Sequence, residues 1–235
     1  MRHTALLLTL AAIASAAPLT AQAGGMGGMR MGGDPTNKVV GTGKIPDGWM
    51  VRFDPPRGNQ PLPPMTSVSF VTMGSGFHVT SGPAALYYNV KDMGSGQYSV
   101  AATFKQSKSM VHEAFGLFIG GSNLQDSTQN YVYFVIKPSD GTMLISHRAS
   151  NGRPVAIVAL TPDANINKDA PADGSATNML LIHVAKDTVH FAINGKVVKA
   201  IAKSDLGGGA TDGQAGFRIN HNIDMHIDGW TGVKK

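Results

Sequence analysis

Residues Met179 to Ala202 constrain the fold more than any other stretch, because they read as three short β-strands joined by two tight turns. Val189, Phe191 and Ile193 alternate with His190, Ala192 and Asn194, the period of two that sends neighbouring side chains to opposite faces of a strand. Met179–Ala185 before them and Lys196–Ala202 after them are apolar runs of strand length. Asn194-Gly195 supplies two residues that tolerate the positive φ of a type I′ hairpin turn, and Lys186-Asp187 marks the other turn with weaker turn chemistry. A meander of this size cannot bury its faces alone, so it implies a larger antiparallel sheet.

The rest of the chain supplies that sheet. Strand candidates punctuated by Gly, Asn, Asp and Pro fall at Trp49–Phe53, Thr66–Thr72, Phe77–Thr80, Ala84–Val90, Gln97–Lys105, Glu113–Gly120, Tyr131–Lys137, Thr142–Arg148 and Pro154–Ala159. After the meander come Gln214–Asn220 and Ile223–Thr231. Pro55–Pro64 is a connection, since proline lacks the ladder donor. Phe115–Ile119 is apolar at every side-chain position, as a central strand covered on both faces would be. Val132, Phe134 and Ile136 oppose Tyr131, Tyr133, Val135 and Lys137, and Ile223, Met225 and Ile227 oppose Asp224, His226, Asp228 and Trp230. No helical periodicity competes with this pattern beyond the N-terminus. The expectation is an all-β unit of two packed antiparallel sheets.

The N-terminus reads as an export signal. Arg2 and His3 precede an apolar run from Ala5 to Ala17, and Ala21-Gln22-Ala23 fits the small-x-small pattern of a cleavage site. The run is too short to span a bilayer comfortably. Residues 1–23 are therefore set apart as a signal peptide, with a periplasmic or secreted destination, and residues 24–37 as a flexible arm rich in Gly and Met. With no cysteine, the chain forgoes disulfides, catalytic thiols and thiolate metal sites. Its formal charge of +5 is scattered, without a basic run interleaved with aromatics, so nucleic acid is not an expected partner. Glu113 is the only glutamate in the chain, which excludes the closely spaced Glu pair of ordinary retaining glycosidases.

Several segments together resemble a known superfamily. Phe115-Gly-Leu-Phe-Ile, Asn130-Tyr-Val-Tyr-Phe-Val-Ile, Asp140-Gly-Thr-Met-Leu-Ile-Ser-His-Arg, Val189–Lys196 and Ala215–Asp228 follow the order seen in concanavalin A-like lectin/glucanase jelly rolls. Within it they are similar to bacterial exported domains of the laminin-G-like and 3-keto-disaccharide-hydrolase-like kinds, and Ile45–Trp49 and Phe77–Leu86 fit the opening of such domains. The resemblance covers residues 38–235 and implies an all-β domain, a curved two-sheet jelly-roll sandwich whose concave face or rim loops receive a saccharide. Departures bear on catalysis: Gly120-Gly121 stands where many of these domains carry an Arg, and Ile227-Asp228-Gly229 replaces an aromatic-Asp-Asp close.

A sugar site needs an aromatic face for the apolar side of the ring and polar groups for the hydroxyls. The candidates are Tyr131 and Tyr133 as stacking residues, with Arg148, Asp224, His226 and Trp230 as neighbours on a polar sheet surface. Ordinary cross-strand pairs would look the same in sequence. His221, His226, Asp224 and Asp228 have metal-ligand chemistry, but parity turns His221 away from the other three, and no His-x-x-x-His spacing occurs. His183 and His190 flank a turn and could pair across it. Asp163, Asn165, Asn167 and Asp169 resemble the start of a calcium loop, yet Lys168 holds the required Gly position and Gly174 the place of the bidentate acid. A looser calcium site or a solvated loop both fit. Met26, Met29 and Met31 could bind Cu(I) through thioethers or be incidental to the arm. No cofactor is expected. The functional readings are a saccharide-binding module, a glycoside-acting hydrolase using Asp and His, or a non-catalytic interaction domain of the envelope.

Overall fold

The computed structural model describes residues 41–56, 58, 60–107 and 113–235. The expected signal peptide, the expected Gly/Met arm and the Met26, Met29, Met31 cluster lie outside the described residues.

Among the described residues there are fourteen strands in two seven-stranded sheets. The strands are β1 (Trp49–Phe53), β2 (Val68–Met73), β3 (Gly76–Ser81), β4 (Ala85–Gly94), β5 (Tyr98–Gln106), β6 (Phe115–Ser122) and β7 (Asn130–Lys137). Then come β8 (Thr142–Ala149), β9 (Val155–Pro162), β10 (Ala176–Val184), β11 (Thr188–Ile193), β12 (Lys196–Ala202), β13 (Gly213–Ile219) and β14 (Ile223–Asp228). The first sheet runs β1-β4-β13-β6-β7-β8-β9 and the second β12-β11-β10-β5-β14-β3-β2, with every neighbouring pair antiparallel. Among the described residues helix is confined to two three-residue 3-10 turns, Met65–Ser67 and Lys203–Asp205. No helix among the described residues is long and apolar enough to cross a membrane.

The meander forms one flank of the second sheet. Asn194 and Gly195 have φ of 49° and 81°, the left-handed pair that closes β11 onto β12. Ala185 N–H donates to the Thr188 carbonyl across Lys186-Asp187, closing β10 onto β11. β10 alternates cleanly in burial although its sequence is nearly all apolar, because Met179 and Leu181 occupy outward positions.

The core is the layer between the sheets. Phe53, Tyr87, Phe115, Leu117, Phe134, Ile145, Phe217 and Ile219 enter it from the first sheet, and Phe70, Val79, Val100, Phe104, Ile182, Phe191, Met225 and Ile227 from the second. Phe217 touches the most rings, lying 4.7 Å from Trp230, 5.6 Å from Trp49 and 6.0 Å from Phe104. β6 is buried from Phe115 through Gly121, as expected of a strand covered on both faces. Its glycines are structural. A side chain at Gly120, with φ of 67°, would collide with the Ala210 carbonyl, so an Arg cannot stand here.

Candidate functional site

Each strand of the first sheet has a second face, pointing away from the core. Parity puts Arg52 on β1, Leu86 and Tyr88 on β4, Arg218 on β13, Phe118 on β6, Tyr131 and Tyr133 on β7, and Ser146 and Arg148 on β8 there. An outward face of a sandwich is usually solvated, yet these residues are all buried. The β6–β7 connection closes part of it. Gln125 Nε2 donates to the Tyr88 hydroxyl at 2.7 Å and to the Val51 carbonyl at 3.3 Å, and Thr128 N–H donates to Asp126 Oδ1 at 2.6 Å within the loop.

Arginine and aromatic side chains share this face. Arg218 donates from both terminal nitrogens to Asp54, which follows β1, at 2.7 Å each. Arg148 Nη2 lies 3.7 Å from the same carboxylate. Arg52 Nη2 donates to Asn151 Oδ1 at 3.1 Å and to the Asp126 carbonyl at 3.4 Å, while Gln129 holds Asn151 from the other side at 2.8 Å. The Arg218 guanidinium sits 5.7 Å from the Tyr133 ring centre, inside cation–π range. Tyr133 neighbours Tyr131 at 5.9 Å, Tyr131 neighbours Phe118 at 5.7 Å, and Phe118 meets Tyr88 at 6.2 Å.

The electrostatics follow from burial. Removal from water works against ionisation of Asp54, but the Arg218 charge and its hydrogen bonds, with Arg148 and His221 behind them, outweigh it and hold the carboxyl below its ordinary value. Burial likewise disfavours charge on Arg218, and Asp54 more than compensates, so the guanidinium stays ionised. Burial pushes the Tyr131 phenol up to about 12, so it stays neutral.

Of the six residues singled out in the sequence, Tyr131, Tyr133 and Arg148 converge on this face. Tyr131 is fully buried beneath its neighbours, which makes it a support for Tyr133 instead of a platform of its own. The other three do not join them. Asp224 and His226 face outward from the second sheet, where His226 stands opposite His78. Alternation assigns each strand its two faces but not its sheet, so two outward polar faces point away from each other. Trp230 lies past the end of β14, where Gly229 at φ of 61° breaks the alternation. Its ring turns into the core against Phe217, and its Nε1 donates to Asp92 at 2.9 Å.

The second sheet's outer face carries ion pairs within β14 and from β14 to its neighbours β3 and β5. His78 meets Asp224 at 3.1 Å, His226 meets Asp228 at 2.8 Å, and Lys105 meets Asp228 at 2.5 Å. His183 and His190 do pair, ring centres 5.9 Å apart, with His183 also bonded to Ser99 at 2.8 Å. Among the described residues no three His, Asp or Glu side chains gather into a metal-holding group. The calcium-like loop is tied to the sheet instead: Asn167 N–H donates to Asn178 Oδ1 at 2.8 Å, Asn178 donates back to the Asn167 carbonyl at 2.9 Å, and Asp163 accepts from Asn165.

Sequence reading missed Arg52, Asp54 and Arg218. Arg218 carried a signal, since it interrupts Gly216-Phe-Arg-Ile219, an apolar strand destined for the middle of a sheet. A charge at such a place needs a buried partner.

The carbohydrate-binding module CBM66 from Bacillus subtilis matches 80 % of this chain and 96 % of its own length, with a TM-score of 0.57 at 11 % identity. The fold is a two-sheet antiparallel jelly-roll sandwich. A protein of galectin-like fold, also from Bacillus subtilis, covers 80 % of the chain and 90 % of its own at a TM-score of 0.49 and 12 % identity. No protein-family model matches the sequence, and no curated protein does either. At these identities the likeness speaks for the fold and nothing finer.

Proposed function

We propose that this jelly roll is an exported saccharide-binding module whose ligand meets the outer face of the first sheet at Tyr133, Arg148 and Asp54. The observation that carries this reading is the concentration there of aromatic rings beside charged donors, on a face where a plain sandwich would present solvated side chains. Tyr133 offers the apolar surface for the C–H side of a sugar ring, with Tyr131 and Phe118 fixing it from behind. Arg148 and the Gln129–Asn151 pair offer donors and acceptors for hydroxyls. The N-terminal signal-like segment supports export, to a periplasm or beyond the cell.

The hydrolase reading, by analogy with 3-keto-disaccharide hydrolases, gains less. The acid that this face offers is Asp54, and its fork with Arg218 keeps it ionised and geometrically committed, a poor state for a proton donor.

Affinity electrophoresis of the full chain against a panel of soluble polysaccharides tests the binding reading. Retardation by at least one, weakened about tenfold in Tyr133→Ala, is expected. Free migration through every polysaccharide would sink it.

A further inference from the structure

Three arginines face two carboxylates, Asp54 in contact and Asp126 at longer range from Arg52, which is still an unbalanced set. Arg218 spends both terminal nitrogens on Asp54. Arg52 finds two neutral oxygens, the Asn151 amide and the Asp126 carbonyl. Arg148 has Asp54 at 3.7 Å, too far for a hydrogen bond. The set therefore holds an excess of positive charge on a face that is almost closed to water. Arg52, Arg148 and Arg218 are 9 %, 8 % and 3 % exposed, and the Nε of each is buried with no hydrogen-bond partner. Buried guanidinium groups with idle donors are costly to keep, and an anion is what relieves them.

We infer that the ligand carries an anionic group, a carboxylate or sulfate borne by a saccharide, which docks on the solvent-side end of the Arg148 guanidinium with Arg52 contributing to the positive field. This rests on the saccharide reading above. A guanidinium is planar, and its paired N–H donors match two oxygens of one acid group. Arg148 approaches Asp54 only to 3.7 Å, while Arg218 and Asp54 lock one another and set its position. The cluster meets solvent at that end, since the Asp54 side chain is 22 % exposed and that of Arg148 10 %, against 4 % for Arg218. Such an opening suits the charged tip of a sugar more than its whole ring, and Tyr133, two residues along β7 from the cross-strand partner of Arg148, is the aromatic for the ring that follows. A neutral sugar would satisfy donors with hydroxyls but leave the excess charge in place.

The test uses the full purified chain with polygalacturonate, its fully methyl-esterified form, dextran sulfate and dextran, measured by titration calorimetry at several salt concentrations. Tighter binding of one or both acidic polymers than of the matched neutral one, by tenfold or more and weakening with salt, is expected. Which acidic polymer wins tells carboxylate from sulfate. Arg148→Gln should remove that preference, and Arg148→Lys, which keeps the charge without the fork, should restore only part of it. Melting temperatures of both variants and the salt dependence of the unaltered chain keep the result readable if either variant folds poorly. Equal binding of the esterified or neutral polymer overturns the inference and leaves the saccharide reading standing. Acid-selective binding indifferent to Arg148→Gln in a folded protein overturns it too. Absence of binding to all four polymers, and to a wider neutral panel, sinks both.

Discussion

Arg218 and Asp54, 164 residues apart in the chain, form a two-pronged ion pair with both hydrogen bonds at 2.7 Å. The pair ties the end of β1 to β13 across β4, and it neutralises a guanidinium that is 3 % exposed. Removing one partner of a buried pair leaves the other charged and unpaired. Asp54→Ala should therefore lower the unfolding free energy by about 3–5 kcal/mol, read from denaturant melts. A loss below about 1 kcal/mol would place the pair with ordinary surface ion pairs instead.

The same pair sets an acid limit on stability. Burial opposes the ionisation of Asp54 and the Arg218 charge overrides it, so its folded pKa lies below the unfolded one. A group depressed in this way contributes in full above its unfolded pKa of about 3.9, and the contribution fades as pH falls through the folded value. Asp228 is lowered as well, chiefly by its hydrogen bond from Lys105, and adds a weaker, solvent-screened share in the same direction. Stability should hold nearly level from pH 7 to about 5 and fall below about 4, with a shallower fall in Asp54→Ala. Parallel curves for the two proteins would remove Asp54 as the cause.

Phe217 should be the costliest single aromatic to lose. It is fully buried and packs on Trp49, Phe70, Phe77, Phe104 and Trp230 from both sheets. Phe217→Ala removes that contact set and leaves a cavity that rigid strands cannot close, for about 3–5 kcal/mol of destabilisation. Trp fluorescence reports it directly, because both tryptophans of the chain touch the ring.

Gly120 offers a sharper steric test. Its φ of 67° disfavours any side chain, and a Cβ there would run into the Ala210 carbonyl. Gly120→Ala should cost at least the about 1–2 kcal/mol of the left-handed conformation, with the clash added. Loss of stability no larger than for a substitution at Gly96, whose surroundings are open and whose φ is also positive, would show that the clash relaxes freely.

The fold was legible because period-two alternation is local. β1 and β12 fall on the residues that alternation and turns predict, and the Asn194-Gly195 turn is where its φ preferences put it. The site was only partly legible, because sheet membership is decided by long-range pairing. Nothing within Ile223–Asp228 says that it lies beside β3 and β5 in the second sheet and not next to β7. Asp54 was equally hidden, since its partner Arg218 is brought to it only by the pairing of β4 with both β1 and β13. What the residues did offer was the oddity of an arginine in an apolar strand, a local signal of a non-local partner.

Asn194 joins the local and the long-range parts of this fold in one side chain. Its positive φ closes the β11–β12 hairpin, and its amide reaches out of the turn. The Nδ2 group donates to the Asn165 carbonyl at 2.7 Å and to Asn178 Oδ1 at 2.9 Å, while Oδ1 accepts the Met179 N–H at 2.8 Å. Asn178 is fully buried, so its oxygen depends on these donors. Two substitutions separate the roles. Asn194→Gly keeps the backbone conformation and deletes the side-chain bonds, and should cost about 1–3 kcal/mol as buried acceptors lose donors. Asn194→Ala deletes the same bonds but keeps a Cβ in the left-handed region that the Gly variant lacks, for about 1 kcal/mol more than Asn194→Gly. Equal melting temperatures for the two variants would mean the turn tolerates alanine by shifting to another geometry, and neither falling below the unaltered chain would mean the amide network is solvated and carries no stability.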